Sequence, residues 1–367
     1  MLFPFLALAA SSSLFASSTL EAGLAAIQKT SPTPALGAAL VRNGQVADLA
    51  VVGVRKSGDP TPAQPDDRFH LGSCTKAMTA TLLATFVEEG KLRWDAKLGE
   101  LFPTYSQMDA AYREVRLDQL LAHRGGLPAN PEPVLYAALK DSVLSPTAGR
   151  ELVAATILSQ PPAVTPGSAY HYSNVGYMIA GRVLENLSGK TWEALIFERL
   201  FHPLGMTSCG FGPPGNPIAV PPDQPWGHFL GSVGLVPLPP GPSADNPPAY
   251  SPAGRVHCSL ADWGKFAALH LAGFRHESTV ILHSPSFEKL HTSYPDQTYT
   301  YGGWERLSQP WAGGVVLAHE GTNSFNYADV WLAPLQNRAL LSVANSGTAD
   351  AAKAVDAAIG ELIRLPP

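Results

Sequence analysis

The sequence has few cysteines and no recognisable arrangement of metal ligands. Its three cysteines, Cys74, Cys209 and Cys258, are too few and too widely separated to indicate a disulfide framework, and their spacing fits no zinc motif. His319 and the acid after it could begin a zinc-binding His-Glu-x-x-His motif, but Asn323 occupies the position of the second histidine. We therefore expect neither a metal site nor another cofactor.

Charged residues are also scarce, and no stretch of the chain is strongly basic. Only 15% of the residues are charged, 45% are hydrophobic, and the formal net charge is −5. A chain of 367 residues with this composition can bury a large core. The lack of a basic stripe argues against nucleic acid as a partner, so we expect a small molecule or a short peptide instead. Nothing in the sequence indicates the oligomeric state.

The amino-terminal end is apolar but lacks the basic residues that usually open a signal peptide. The first cationic side chain is Lys29, whereas residues 1–10 are apolar and a run rich in serine and alanine follows them. We interpret residues 1–18 as a signal peptide, which would make the protein periplasmic or secreted, with no membrane anchor after cleavage. An apolar helix packed on the body of the protein is the alternative.

A serine followed three residues later by a lysine is the first candidate for catalysis. Ser73 and Lys76 follow a glycine and precede an apolar stretch that predicts a buried helix with a glycine stop. Positions i and i+3 share a helix face, so the Lys76 side chain can reach the Ser73 hydroxyl. The same spacing recurs at Ser286 and Lys289, where the polar context favours a structural role.

Two further motifs follow in order along the chain. Tyr172 and Asn174 form a Tyr-x-Asn motif, and His319 and Gly321 form a His-x-Gly motif. With the Ser-x-x-Lys pair, this set resembles the serine β-lactamase and penicillin-binding protein superfamily. The branch that it resembles contains class C β-lactamases, D-alanyl-D-alanine carboxypeptidases, D-aminopeptidases and related esterases. Further segments similar to family landmarks occur in the family's order, at residues 120–128, 200–207, 251–254 and 301–304.

The resemblance implies an α+β fold of the β-lactamase/transpeptidase type. In such a fold an antiparallel sheet is flanked by helices and a helical lobe is inserted into it. We assign residues 19–90 and 250–367 to the sheet domain and residues 91–249 to the helical insertion. The catalytic cleft is expected between the two.

Local patterns predict several elements within this arrangement. Asn43-Gly44 separates two apolar runs and predicts a hairpin. Residues 213–248 contain twelve prolines and are expected to form a long loop without regular structure. Towards the end of the chain, apolar periodicity predicts two helices, at residues 261–273 and 349–364, and between them three adjacent antiparallel strands, at residues 314–319, 325–332 and 338–344.

The resemblance also implies a role for each motif residue. Ser73 would attack a carbonyl carbon and form an acyl-enzyme, with Lys76 or Tyr172 accepting its proton; the sequence leaves open which of them does so. Asn174 would hold Lys76 and a substrate amide. The backbone N–H groups of Ser73 and Thr322 would bind the oxyanion.

The segment that contains the His-x-Gly motif departs from the pattern of many relatives at two positions. His319 stands where many of them carry lysine, so we expect a histidine with a pKa of about 6.5 and an acylation of anionic substrates that weakens above about pH 7. Glu320 replaces a serine or threonine that would bind the substrate's carboxylate. It would repel such substrates if it faces the cleft; the alternative is a side chain turned to solvent. Gly321 would leave room for the substrate backbone.

These assignments predict a serine hydrolase that acts through an acyl-enzyme on an ester or an amide, as an esterase or a peptidase-like enzyme. A D-alanyl-D-alanine carboxypeptidase or a weak class C-type β-lactamase is the alternative among enzymes. A penicillin-binding sensor domain that is acylated without turnover is the alternative outside them.

Overall fold

A computed structural model describes residues 18–141 and 143–366 of the chain. Nearly all of the interpreted signal peptide therefore lies outside the described residues. Within them, no helix is both long and apolar enough to span a membrane. The strands are β1 (Ala35–Arg42), β2 (Gln45–Gly53), β3 (Arg68–His70), β4 (Gly210–Phe211), β5 (Gly227–Gly231), β6 (Gly234–Leu238), β7 (Val256–Ser259), β8 (Glu305–Gln309), β9 (Gly314–Thr322), β10 (Tyr327–Ala333) and β11 (Arg338–Ala344).

The α-helices include seven short or medium ones in the middle of the chain. Several are capped by a serine or threonine side chain, as at Ser173, whose hydroxyl accepts the Gly176 N–H. The helices are α1 (Ser18–Thr30), α2 (Thr75–Glu88), α3 (Leu98–Leu101), α4 (Ala110–Arg113), α5 (Leu117–Leu121), α6 (Pro133–Asp141), α7 (Pro146–Leu158), α8 (Asn174–Ser188), α9 (Trp192–Ile196), α10 (Ser251–Gly254), α11 (Leu260–Phe274), α12 (Ser284–His291) and α13 (Ala349–Arg364).

Six antiparallel strands form the central sheet, in the order β2-β1-β11-β10-β9-β8. The predicted hairpin joins β1 to β2, and its turn residues Asn43 and Gly44 have φ values of 51° and 78°. Both residue types tolerate this left-handed conformation, which a two-residue hairpin turn requires. The three strands predicted near the carboxyl end are β9, β10 and β11, and they are adjacent as predicted.

Helices cover both faces of this sheet because side chains alternate along its strands. Helices α1 and α13 pack on the face that carries Leu36 and Leu40 of β1. On the other face, Ala39 and Val41 of the same strand belong to the larger core cluster, which α2 and α11 help to build. Helix α2 therefore lies between the sheet and the helices of the middle segment, and the candidate nucleophile lies in the turn just before it.

Two features of the fold differ from the sequence-based expectations. The proline-rich segment contains the hairpin of β5 and β6, although we expected no regular structure there. Pro237 lies within β6 of this hairpin. It is tolerated because each strand of a two-stranded hairpin has an outer edge where no N–H donor is needed. Cys209 and Cys258 form a disulfide, although the small number of cysteines did not indicate one. The remaining cysteine, Cys74, is buried and free.

Candidate active site

The candidate nucleophile lies in a tight turn between β3 and α2. Residues Gly72–Cys74 form a 3-10 turn that leads into the helix, and Gly72 has a φ of 51°. A Cβ on Gly72 would lie 2.3 Å from the backbone nitrogen of Thr322 on β9, so only glycine fits there. The turn brings Lys76 one helical turn away from Ser73, and its Nζ lies 3.1 Å from the serine Oγ.

Lys76 is fully buried and has three oxygen neighbours. Its Nζ donates to Asn174 Oδ1 at 2.7 Å and to the Ala253 carbonyl at 2.6 Å, while Ser73 Oγ is the third neighbour. Burial lowers the pKa of Lys76 well below its usual range, because the ammonium form loses its hydration. In the neutral amine, two N–H groups satisfy the two shorter contacts. The lone pair is then left for the Ser73 hydroxyl.

Tyr172 approaches the same hydroxyl from the start of α8. Its phenol oxygen lies 2.7 Å from Ser73 Oγ, in the direction of a hydrogen bond donated by the phenol. Burial raises the pKa of Tyr172 above its usual value, so the phenol stays protonated at neutral pH. Asn174 belongs to the same segment, and its amide nitrogen donates to Asn130 Oδ1 at 2.8 Å, which fixes the side-chain orientation that Lys76 requires.

Strand β9 packs directly against the nucleophile turn. A Cβ on Gly321 would lie 2.0 Å from the Leu71 carbonyl oxygen and 2.8 Å from the Ser73 nitrogen. We expected Gly321 to leave room for the substrate backbone, but its missing side chain admits the protein's own backbone. This contact brings the backbone of Thr322 next to that of Gly72 and Ser73.

His319 is buried and neutral, which contradicts the expected pH switch. Its Nδ1 lies 2.6 Å from the Glu320 carbonyl oxygen and must donate, so Nε2 accepts the hydrogen bond from the Tyr299 hydroxyl at 3.1 Å. Burial and the neighbouring Lys76 lower the pKa of His319 to about 3. A step in activity near pH 7 is therefore no longer expected from this residue.

Glu320 faces the cleft. Its carboxylate accepts a hydrogen bond from the Tyr327 hydroxyl at 2.5 Å, and its side chain remains exposed to the cavity. The cavity has a volume of about 480 Å³, and every proposed site residue except Lys76 is part of its lining. The lining residues are Ser73, Tyr170, Tyr172, Asn174, Tyr299, Glu305, Leu307, Ala318, His319, Glu320, Gly321, Thr322, Tyr327, Asp329 and Trp331.

A buried ionic network behind the nucleophile turn was missed at the level of sequence. His70 Nδ1 accepts the Gly72 N–H at 3.1 Å, and its Nε2 donates to Asp245 at 3.0 Å. Asp245 also accepts from Asn323, directly after β9, and from Arg255. Burial opposes the charge of Asp245, but these donors prevail and lower its pKa to about 2. The carboxylate lies in the proline-rich segment, and no motif marks it.

Comparison with known proteins gives the family. The Beta-lactamase family model matches residues 21–362. The chain belongs to this family. Penicillin-binding protein 4 of Amycolatopsis lactamdurans is 27% identical over 86% of this chain and 82% of its own length. A putative D-alanyl-D-alanine carboxypeptidase of Escherichia coli K12 is also 27% identical, over 49% of this chain and 44% of the relative.

The structural comparison confirms the fold. The class C β-lactamase of Rhodobacter sphaeroides superimposes with a TM-score of 0.74 at 18% identity, covering 95% of this chain and 99% of that enzyme. The β-lactamase/transpeptidase-like fold and the sequence resemblance are thus both confirmed. Family membership also confirms that the protein is a serine hydrolase. The predicted domain boundaries and the roles of single residues stay predictions.

Proposed function

We propose that Ser73 is the nucleophile and that the neutral amine of Lys76 is its general base. The contact of 3.1 Å between Nζ and Oγ and the low pKa of Lys76 support this assignment over Tyr172. As Oγ bonds to the carbonyl carbon, its proton moves to the amine. The proton then reaches the leaving group through the Tyr172 hydroxyl, 2.7 Å from Oγ. Water later hydrolyses the acyl-enzyme by the reverse proton path.

The backbone N–H groups of Ser73 and Thr322 are proposed to bind the oxyanion. The close approach of β9 to the nucleophile turn supports this pair, since Gly321 has no Cβ to hold the two backbones apart. Ser73 also precedes the 14-residue helix α2, whose amino-terminal dipole favours negative charge. Asn174 is proposed to orient both Lys76 and a substrate amide.

The substrate is proposed to be a small or short-chain ester or amide without a carboxylate beside the scissile bond. Glu320 in the cleft is the observation on which this choice rests, because an acid there repels a substrate carboxylate. His319 carries no compensating positive charge at neutral pH. Penicillins and peptides ending in D-alanine both have such a carboxylate, so we expect them to react slowly.

Three substrates separate this proposal from its alternatives. The protein is mixed with p-nitrophenyl acetate, nitrocefin and a D-alanyl-D-alanine peptide, while turnover and the intact mass are recorded. Steady ester turnover that is lost in Ser73→Ala, with little reaction of the other two, supports the proposal. Faster turnover of the peptide or of nitrocefin would favour the carboxypeptidase or β-lactamase, and a stoichiometric mass adduct without turnover would favour a sensor.

Export from the cytoplasm is proposed together with this function. The disulfide between Cys209 and Cys258 supports it, because disulfides persist mainly in oxidising compartments. Expression of the full chain followed by fractionation tests the proposal. We expect a periplasmic or secreted product that begins near residue 19; an intact chain in the cytoplasm would contradict it.

A further inference from the structure

One wall of the cleft carries three carboxylates. Glu320 on β9 lies opposite Asp329 on β10, and Glu305 on β8 lies opposite Ala318. Residues 318 and 320 share one face of β9, so Glu305, Glu320 and Asp329 all lie on the same face of the sheet. These three residues, here called the acid wall, line the cavity, and its described lining contains no lysine or arginine.

Asp329 has an unsatisfied oxygen in this wall. The residue is only 3% exposed, and its Oδ2 accepts a hydrogen bond from Trp331 Nε1 at 2.8 Å. Its Oδ1 has no hydrogen-bond partner among the described residues. A buried acceptor without a donor is unusual in folded proteins and calls for a partner from outside the chain. A bound molecule with an N–H group would supply that partner.

The charge of Glu320 disfavours ionisation of the other two acids of the wall when the cleft is empty. Burial and the neighbouring Glu320 raise the pKa of Asp329 to about 8, although the bond from Trp331 acts against the shift. Burial and Glu320 also raise the pKa of Glu305. A cation between these side chains would favour their ionised forms and remove this penalty. Trp331 and Tyr327 add aromatic surface to the same part of the lining, and aromatic rings attract cations.

We propose that the acid wall is a subsite for an ammonium group of the substrate, so that the preferred substrates are esters or amides that carry a primary amine. The inference rests on the serine hydrolase proposed above. An ammonium has three N–H donors and can bind Asp329 Oδ1 while it contacts Glu320 or Glu305. The subsite and Ser73 line one cavity, so a single substrate can occupy both.

Three p-nitrophenyl esters of matched length test the proposal. Their acyl groups are 6-aminohexanoate, heptanoate and pimelate, which end in an ammonium, a methyl and a carboxylate group. We expect kcat/KM for the ammonium ester to exceed that for the methyl ester by about tenfold or more, and the carboxylate ester to be the slowest. Equal values for the first two esters would overturn the subsite.

Charge-removing variants locate the effect. Glu320→Gln and Asp329→Asn should each lower the ratio of kcat/KM for the ammonium ester to that for the methyl ester several-fold. The control is Glu21→Gln, which removes the same charge from the exposed surface of α1 and should leave the ratio unchanged. Because Glu320 is exposed, its variant remains informative even if Asp329→Asn folds poorly.

The outcomes for the two proposals are distinct. If the wild-type protein hydrolyses the methyl ester as fast as the ammonium ester, the hydrolase proposal stands and the proposed ammonium subsite is refuted. A ratio that stays the same in both variants also refutes it. No Ser73-dependent hydrolysis of any of the three esters would instead refute the proposed esterase.

Discussion

Substitution of Gly321 by alanine tests how closely β9 must approach the nucleophile. The added Cβ would lie 2.0 Å from the Leu71 carbonyl oxygen and 2.8 Å from the Ser73 nitrogen. Ordinary contacts between heavy atoms are about 3.5 Å, so the two backbones must separate by roughly 1.5 Å. Such a displacement would remove the Thr322 N–H from the proposed oxyanion position. Loss of one such donor costs about 3 kcal/mol of barrier, or about 10²–10³ in kcat.

The assay is kcat for p-nitrophenyl acetate, with the thermal unfolding midpoint measured on the same preparation. Gly360→Ala is the matched control, because its Cβ on α13 would meet nothing closer than 3.9 Å, the end of the Arg364 side chain. The control should retain its kcat. A folded Gly321→Ala variant with wild-type kcat would show that the contact between the two backbones does not set the oxyanion geometry.

Three other predictions concern the base, the disulfide and the buried network. Lys76→Met should lower kcat about 10²–10⁴-fold. In the wild-type enzyme, kcat/KM should decrease towards acidic pH only where Lys76 becomes protonated, at its lowered pKa. No further change in kcat/KM is expected from His319 near pH 7. Reduction of the bond between Cys209 and Cys258, which are 49 residues apart, should lower the free energy of unfolding by about 2–4 kcal/mol in denaturant titrations, and Cys258→Ser should abolish the response to reductant. The carboxylate of Asp245, with its pKa lowered from 3.8 to about 2, stabilises the fold above about pH 4. This stability, about 2 kcal/mol, should be lost as the pH falls towards 2, and Asp245→Asn should not show that loss.

Sequence patterns predicted the elements that depend on neighbours along the chain. The turn at Asn43 and Gly44 needs only residues that tolerate positive φ, and helix α13 has the bounds that its periodicity indicated. The Ser-x-x-Lys spacing likewise placed Lys76 beside Ser73, because a single helical turn sets that distance. In each case a few consecutive residues carried the information.

Features that depend on distant segments were not predictable in this way. The low pKa of His319 comes from burial and from the neighbouring Lys76, neither of which is visible at position 319. The network at Asp245 joins residues 175 positions apart, so no local spacing marks it. The contact between Gly321 and Leu71 was missed for the same reason, because Leu71 lies on another segment.

The charges in the cleft explain why backbone geometry should matter so much for this enzyme. At neutral pH His319 is uncharged and burial disfavours the ammonium form of Lys76, whereas the acid wall consists of acidic side chains. The described lining therefore offers no fixed positive side chain to a developing oxyanion. Its stabilisation is therefore expected from the proposed N–H donors of Ser73 and Thr322 and from the dipole of α2, which act only at short range. The same absence of positive charge leaves the acid wall unopposed, so one arrangement of charges both favours a cationic substrate and makes the rate sensitive to the position of β9.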